Sequence, residues 1–180
     1  VGGAGCPLAA RLSRRTGIPV AVENDVNAAA LGASRVLELD GTDLAYLSIG
    51  TGLAAGIVLS GRLHRGPRGG AGEIGHVPVH PSGPMCPCGQ RGCLEAVASG
   101  SAIARAWPVE NRPEQSPAAA LFRSAADGNH DARRVRTRIS DHLAAAVQLL
   151  VLTVDVDVVV LGGGVSEVGE QLRLAVATAL

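Results

Sequence analysis

Apolar residues occur along this chain in short runs and in helix-spaced sets, many of them separated by glycine. Residues 44–49 and 53–59 are apolar runs joined by the turn 50–52, Gly-Thr-Gly. Short apolar runs bounded by turn residues are typical of buried strands. A second turn at 60–61 leads into residues 62–63, so the pattern predicts a β-meander.

Two further segments have the order strand, turn, helix. Residues 18–22 are short and rich in β-branched side chains, and they lead through the polar turn 23–25 into an Ala-rich helix over 26–37. Residues 154–161 are also β-branched, and three glycines at 162–164 follow before a helical pattern resumes. In open α/β sheets ligands bind beyond the carboxyl ends of strands, so both turns are candidate binding positions.

The other periodic segments predict helices. The longest covers residues 131–153, and its apolar positions have the spacing of one buried helical face: Val135, Ile139, Leu143, Ala146, Val147 and Leu150. Shorter helices are predicted over 7–15, over 117–126 and over 94–107, the last divided near Ser99 and Gly100. Residues 108–117 are polar and bounded by proline, which indicates a surface loop.

Composition and charge narrow the class of protein. The chain has 180 residues, 47% of them hydrophobic, and its 16 basic and 16 acidic residues balance. These values predict a soluble globular protein and give no electrostatic reason for binding nucleic acid or a membrane. Every basic residue is arginine, which excludes a Walker-type phosphate lysine. With no signal peptide or transmembrane run in these residues, we expect a cytoplasmic location.

Residues 73–95 carry the most specific chemistry. His76, Cys86, Cys88 and Cys93 lie there among prolines and glycines that prevent a long regular element. Thiolate and imidazole are the ligands that a structural zinc site selects, so the spacing predicts one tetrahedral Cys3His zinc site. The alternative is a pair of disulfides or unliganded buried thiols, but Cys86 and Cys88 are too close to bridge each other easily.

Two other histidines leave the imidazole ligand open. His64 and His80 lie near the cysteines in sequence, and spacing alone excludes neither of them. The fourth cysteine, Cys6, is far away in sequence, and we expect it to take no part.

The motif Glu73-Ile74-Gly75-His76, followed by Cys86-Pro87-Cys88-Gly89-Gln90-Arg91-Gly92-Cys93-Leu94-Glu95, resembles the signature of the ROK family of bacterial sugar kinases and sugar-responsive repressors. The resemblance implies that His76 and the three cysteines bind a structural Zn2+. It also implies that Asn24, Glu73, His76 and Glu95 contact the sugar.

The polar turn at 23–25 resembles the catalytic corner of ROK kinases. The resemblance implies that Asp25 is the general base that takes a proton from the sugar hydroxyl. The structural alternative is that Asp25 is a helix N-cap, a position that Asn and Asp commonly occupy. Glu95, at the start of a predicted helix, could also cap that helix, a role compatible with sugar binding.

Both glycine turns have counterparts in the family. The resemblance implies that Gly50, Thr51 and Gly52 face the β and γ phosphates of ATP, and that Mg2+ bridges the phosphates. It also implies that Gly162, Gly163 and Gly164 hold adenosine and the α phosphate. Many family kinases have glycines where this chain has Ala54 and Ala55, which puts tight nucleotide contact in doubt.

The fold class implied by the resemblance is α/β, a ribonuclease-H-like lobe of the actin and hexokinase type with an inserted zinc-binding loop. Residues 1–180 correspond mostly to the second, C-terminal lobe of a sugar kinase. The sequence begins at Val1, its one methionine is Met85, and the family's N-terminal phosphate motif is not found. We therefore expect that the N-terminal phosphate-loop lobe is absent and that this piece alone is inactive.

Two functions follow from the resemblance. The first is ATP-dependent phosphorylation of a hexose or an N-acetylhexosamine, by a protein that is a homodimer when full length. The second is a sugar-sensing effector domain of a ROK transcriptional repressor, which would bind DNA through a helix-turn-helix in the missing N-terminus.

Overall fold

A four-stranded mixed sheet lies at the centre of the fold. The computed structural model describes residues 7–108 and 116–180, so Cys6 and most of the predicted polar loop lie outside the described residues. The strand order is β3-β2-β1-β4, with β1 and β2 antiparallel, β2 and β3 antiparallel, and β4 parallel to β1. The strands are β1 (Leu44–Ile49), β2 (Leu53–Leu59), β3 (Arg62–His64) and β4 (Val158–Gly162). The predicted β-meander is therefore confirmed.

Helices cover both faces of the sheet. In chain order they are α1 (Leu8–Thr16), α2 (Asp25–Val36), α3 (Leu94–Ala98), α4 (Gly100–Ala106), α5 (Pro117–Ala126), α6 (His130–Val154) and α7 (Glu170–Ala179), with short 3-10 helices at Ile74–His76 and Gly164–Val168. The predicted division near Ser99 and Gly100 is confirmed, because Ser99 ends α3 and caps α4. Among the described residues, no helix is both long and apolar enough to cross a membrane.

Successive side chains of β1 point to opposite faces of the sheet, so the core has two layers. Ala45, Leu47 and Ile49 face a large cluster that contains the buried stripe of α6. Leu44 and Tyr46 face the other side, where α2 packs through Ala30. The predicted buried face of α6 is largely confirmed, because Ile139, Leu143, Ala146, Val147 and Leu150 are buried and Val135 is partly buried.

Two predicted strands are wrong in whole or in part. Residues 18–22 form no strand, since no described strand pairs with them, and Ile18 and Val22 are 63% and 58% exposed. The strand predicted to begin at residue 154 begins at Val158 instead. Helix α6 continues through Val154 and ends at Asp155, whose φ is +59° and whose N–H still donates to the Val151 carbonyl. One β-branched residue, Val154, thus extends the helix and packs against the core, and residues 155–157 connect it to β4.

Candidate active site

The two glycine turns lie at the same edge of the sheet. Strands β1 and β4 are parallel and in register, with Ser48 opposite Gly162, so the turns that follow them meet. Gly163 has φ +82°, and a Cβ there would lie 2.7 Å from the carbonyl carbon of Ile49. The Gly163 N–H donates to the Tyr46 hydroxyl at 3.2 Å. A glycine is required at Gly163 because the second turn is in backbone contact with Ile49, the last residue of β1 before the first turn.

The first turn is fixed by backbone hydrogen bonds. Gly50 N–H donates to the Gly52 carbonyl at 3.0 Å, and Gly100 N–H donates to the Gly50 carbonyl at 2.8 Å. The side chain of Thr51 is exposed at the mouth of a cavity of about 620 Å³. Other residues that line this cavity are Gly52, Met85, Glu95, Ser99 and Arg105.

Ala54 and Ala55, which depart from the family pattern, lie within β2 opposite Ser48 and Leu47. They therefore belong to the sheet ladder and not to the turn itself. Ala55 N–H donates to the Gly72 carbonyl at 2.8 Å. This hydrogen bond holds the backbone just before Glu73 against β2.

Glu95 connects the cysteine-rich segment to the first glycine turn. Its Oε2 accepts a hydrogen bond from the Leu53 N–H at 3.2 Å, and a Cβ at Gly52 would overlap this carboxylate. The N-cap of α3 is Cys93, and no side chain caps this helix. Glu95 is therefore not the N-cap but lies in the first turn of α3, and its carboxylate accepts a hydrogen bond from β2.

Three of the four predicted zinc ligands converge. The ligand atoms of His76, Cys86 and Cys88 all lie within 4.8 Å of one another. His76 Nδ1 lies 3.6 Å from Cys86 Sγ, and Cys88 Sγ lies 3.7 Å from Cys93 Sγ. Tetrahedral zinc with ordinary bond lengths separates N from S by about 3.6 Å and S from S by about 3.8 Å. The donor set therefore fits zinc, although Cys93 Sγ is directed toward the His76 carbonyl at 3.5 Å.

His76 has its two ring nitrogens in different environments. Nδ1 faces Cys86, whereas Nε2 lies 3.9 Å from Glu73 Oε2. The alternative ligands lie elsewhere, since His80 contacts Ser82 and the ring of His142, and His64 is in β3. One imidazole nitrogen can thus serve a metal while the other remains beside a carboxylate.

The thiols differ in acidity in the absence of metal. Hydrogen bonds from the backbone and side chain of Gln90 lower the pKa of Cys88 to about 6. Burial and the neighbouring Cys88 raise the pKa of Cys93 to about 12. Zinc binding requires thiolates, so the metal would have to displace the proton of Cys93, whereas Cys88 ionises readily.

The polar turn before α2 has Asn24, not Asp25, as its cap. Asn24 Oδ1 accepts hydrogen bonds from the N–H groups of Val26 and Asn27, at 2.9 and 3.1 Å. Asp25 is the first residue of α2, is exposed, and accepts a hydrogen bond from the Val26 N–H at 2.9 Å. The capping alternative for Asp25 is therefore wrong, because Asn24 takes that position.

Glu23 was not among the predicted site residues. Its Oε1 accepts from Asn24 N–H at 3.0 Å and from Asn27 Nδ2 at 3.1 Å, and its Oε2 accepts from Arg65 Nε at 2.8 Å. Arg65 and Asn27 lower the pKa of Glu23 through these hydrogen bonds. Glu23 precedes the N-cap Asn24 and lies outside α2, so the only signal in the sequence was its place in the polar turn at 23–25.

The candidate residues fall into two groups. Glu95, the first glycine turn and the second glycine turn are joined by contacts, and Glu73 and His76 adjoin them through Gly72 and Leu53. Asp25 makes no hydrogen bond or ion pair with Glu73, His76 or Glu95 within residues 7–108 and 116–180. The pair Glu23–Arg65 links the Asp25 turn to the loop before Glu73.

Curated sugar kinases are similar to this chain. It is 41% identical over 180 residues to a glucokinase of Thermotoga maritima, covering 92% of this chain and 57% of that protein. It is 38% identical over 159 residues to an N-acetylmannosamine kinase of Escherichia coli, covering 88% of this chain and 54% of that protein. The chain therefore spans about half the length of the curated relatives it matches.

Solved structures are similar in fold. A ROK hexokinase from Thermus thermophilus has a TM-score of 0.83 at 39% identity, over 96% of this chain and 58% of that one. A ROK family glucokinase from Streptomyces griseus, in complex with glucose and AMPPNP, has a TM-score of 0.78 at 32% identity, over 96% and 61%. A ROK family transcriptional regulator, a homolog of the E. coli MLC protein, has a TM-score of 0.81 at 33% identity. The match covers 96% of this chain and 46% of that one.

The family assignment agrees with the geometry. The predicted α/β fold is confirmed as that of ROK sugar kinases, an actin- and hexokinase-like ATPase fold. The model of the ROK family matches residues 1–180. The chain therefore belongs to the ROK family.

Proposed function

We propose that the protein built on this chain is an ATP-dependent kinase that phosphorylates a hexose or an N-acetylhexosamine. The observation that carries the proposal is the meeting of the two glycine turns at the carboxyl ends of β1 and β4. Backbone N–H groups in such turns bind phosphates because glycine lets the main chain approach closely. The sugar kinases among the relatives support this reading.

The nucleotide and the sugar would meet at Glu95. We infer that Gly50, Thr51 and Gly52 bind the β and γ phosphates, with Mg2+, and that residues 162–164 bind adenosine and the α phosphate. Because Glu95 already accepts a hydrogen bond from Leu53, its second carboxylate oxygen would be oriented toward a sugar hydroxyl. Glu73, the Nε2 of His76 and Asn24 would provide the other sugar contacts.

Asp25 is our candidate for the general base. Its carboxylate is exposed at the start of α2, and Asn24 takes the capping position, so Asp25 is not needed to cap the helix. In phosphoryl transfer the base accepts the proton of the attacking hydroxyl, while positioning and charge stabilisation lower most of the barrier. Glu23 and Arg65 would hold this turn toward the sugar residues.

We infer that zinc is structural here. His76, Cys86, Cys88 and Cys93 would hold it, and the metal would fix the cysteine-rich segment that carries Glu73 and Glu95. Metal ligation through Nδ1 would also orient the His76 ring, so that Nε2 keeps a fixed direction.

The test is ATP-dependent turnover in the full-length protein, including any residues that accompany positions 1–180. Wild type should form ADP with at least one hexose or N-acetylhexosamine. Asp25→Asn should lose turnover by about 100-fold or more while sugar affinity stays within severalfold. Asp131→Asn, which alters an exposed acidic residue in the first turn of α6, should leave turnover unchanged. Undiminished turnover in Asp25→Asn would remove Asp25 from catalysis.

The second candidate is the effector domain of a sugar-responsive repressor. The similarity to a ROK transcriptional regulator, at a TM-score of 0.81, favours it specifically. Sugar would bind the same residues, and the domain would transmit binding to DNA contacts elsewhere in the chain. A protein that forms no ADP with any hexose, but dissociates from DNA on sugar addition, would favour this function over the kinase.

We also propose that the chain corresponds mainly to the second lobe of a two-lobe kinase. The share of the relatives that it covers, 57% and 54%, supports this assignment. Substrate closure between two lobes would position the γ phosphate and exclude water. A homodimer and a cytoplasmic location remain part of the proposal, to be tested by light scattering and by cell fractionation.

A further inference from the structure

A groove with several basic side chains lies between the segment after His76 and helices α4 and α6, and it adjoins the cavity at the first glycine turn, with which it shares Pro84, Ala96 and Arg105. Its volume is about 340 Å³, within the range of pockets that hold small molecules. We call it the basic groove and define it by its polar side chains: His80, Ser82, Arg105, Arg138 and His142. The other residues that line it are small or apolar, with no aspartate or glutamate among them.

The charge of the basic groove is not balanced locally. The whole chain has 16 basic and 16 acidic residues, and other arginines, such as Arg65 and Arg173, pair with glutamates. In the described part of the chain, neither Arg105 nor Arg138 has a carboxylate within ion-pair distance. The groove therefore has two guanidinium groups whose charge is available to an anion.

Three of the basic side chains are held in place by the protein. Arg105 Nη2 donates to the Ala96 carbonyl at 3.1 Å, which leaves its other N–H groups available. His142 Nδ1 donates to the Arg138 carbonyl at 2.6 Å, so Nε2 is its remaining polar atom. His80 contacts the Ser82 hydroxyl at 3.3 Å, and its ring centroid lies 6.0 Å from that of His142. Side chains already ordered lose less entropy when a ligand binds.

We propose that the basic groove binds the phosphoryl group of a small anion, at a site separate from the nucleotide turns. Guanidinium groups match the oxygens of phosphate with paired N–H donors, and imidazole and hydroxyl groups add hydrogen bonds. The phosphoryl group comes either from free inorganic phosphate or from a phosphorylated hexose. This site does not depend on the proposed kinase activity, because its polar side chains other than Arg105, which also lines the cavity at the first glycine turn, lie outside the catalytic and metal groups.

Calorimetric titration of the metal-loaded protein with inorganic phosphate, and separately with a hexose 6-phosphate, tests the proposal. Saturable binding of at least one ligand is expected. Arg138→Gln and His142→Gln should each weaken that binding by roughly tenfold or more, since each removes a hydrogen bond to a charged group. Arg62→Gln, which removes another exposed arginine, from β3, should not change it. Arg105 is left intact because it also lines the 620 Å³ cavity.

Comparing the two ligands shows which part of the anion the basic groove recognises. If only the hexose phosphate binds, the sugar contributes to recognition; if both bind equally, the phosphoryl group alone is recognised. Absence of saturable binding to both ligands would overturn the proposal. It would equally be overturned if binding persisted undiminished in Arg138→Gln and His142→Gln proteins with wild-type melting temperatures, because the glycine turns would then be the site.

Discussion

Gly72 provides a sharp test of how the sugar-side segment is held to the sheet. Its φ is +88°, and a Cβ there would lie 2.8 Å from the carbonyl carbon of Ala55 and closer still to the oxygen. Its carbonyl accepts hydrogen bonds from Ala55 and Ile74, at 2.8 and 2.7 Å. Gly72→Ala therefore forces the backbone before Glu73 away from β2.

The expected loss of stability has two parts. The left-handed conformation costs a non-glycine residue about 1–2 kcal/mol, and a steric overlap of this kind costs about 1–3 kcal/mol more. The total of about 2–5 kcal/mol should lower the melting temperature by about 4–20 °C for a chain of this size. Thermal and urea unfolding followed by far-ultraviolet circular dichroism measure both quantities.

Gly69→Ala is the matched control. Gly69 lies in the same loop with φ +72°, but a Cβ there would meet nothing within 4 Å. The Gly69→Ala protein should lose only the conformational part of the stability, about 1–2 kcal/mol. Equal destabilisation by the two substitutions would refute the argument, because contact with Ala55 would then contribute nothing.

Three further predictions concern metal, charge and nucleotide. Dialysed wild type should hold about one equivalent of zinc, and Cys88→Ser should lower both zinc content and melting temperature; a zinc-free protein of unchanged stability would contradict this. Hydrogen bonds from Arg65 and Asn27 lower the pKa of Glu23 from 4.5, so its stabilisation is present above about pH 4.5 and is lost as the pH falls further. Urea unfolding should therefore show that Glu23→Gln is less stable than wild type at pH 7, with the difference shrinking below pH 4.5; a difference that does not change with pH would contradict it. Gly163→Ala should weaken ATP binding measured by calorimetry, whereas Gly32→Ala, in α2 with open space around its Cβ, should not; equal effects would contradict the contact with Ile49.

The sequence predicted elements well where local signals and burial agree. Strands β1 and β2 have the predicted bounds because glycine turns end both apolar runs and both strands are buried. Residues 18–22 have strand-forming side chains, but a strand needs a neighbour for its backbone groups, and periodicity carries no information about that neighbour. At residue 154 the packing of α6 overrides β propensity, and residues 155–157 are needed to connect the end of α6 to β4.

The candidate site was predictable to the extent that its residues are close in sequence. His76, Cys86 and Cys88 converge as their spacing predicts. The contact between Glu95 and Leu53 spans 42 residues, as does the pair between Glu23 and Arg65. Such contacts depend on how strands and loops are arranged in three dimensions, and no local pattern encodes them.

The hydrogen bond between Tyr46 and Gly163 gives the chain an optical reporter. Tyr46 is the one tyrosine in the sequence, and its hydroxyl and ring lie against the second glycine turn. A ligand that shifts this turn should alter the phenol environment and so perturb the tyrosine absorbance. Because the tyrosine signal has a single source, the tyrosine bands of an ultraviolet difference spectrum, resolved from those of the one tryptophan, would report on this turn without any label.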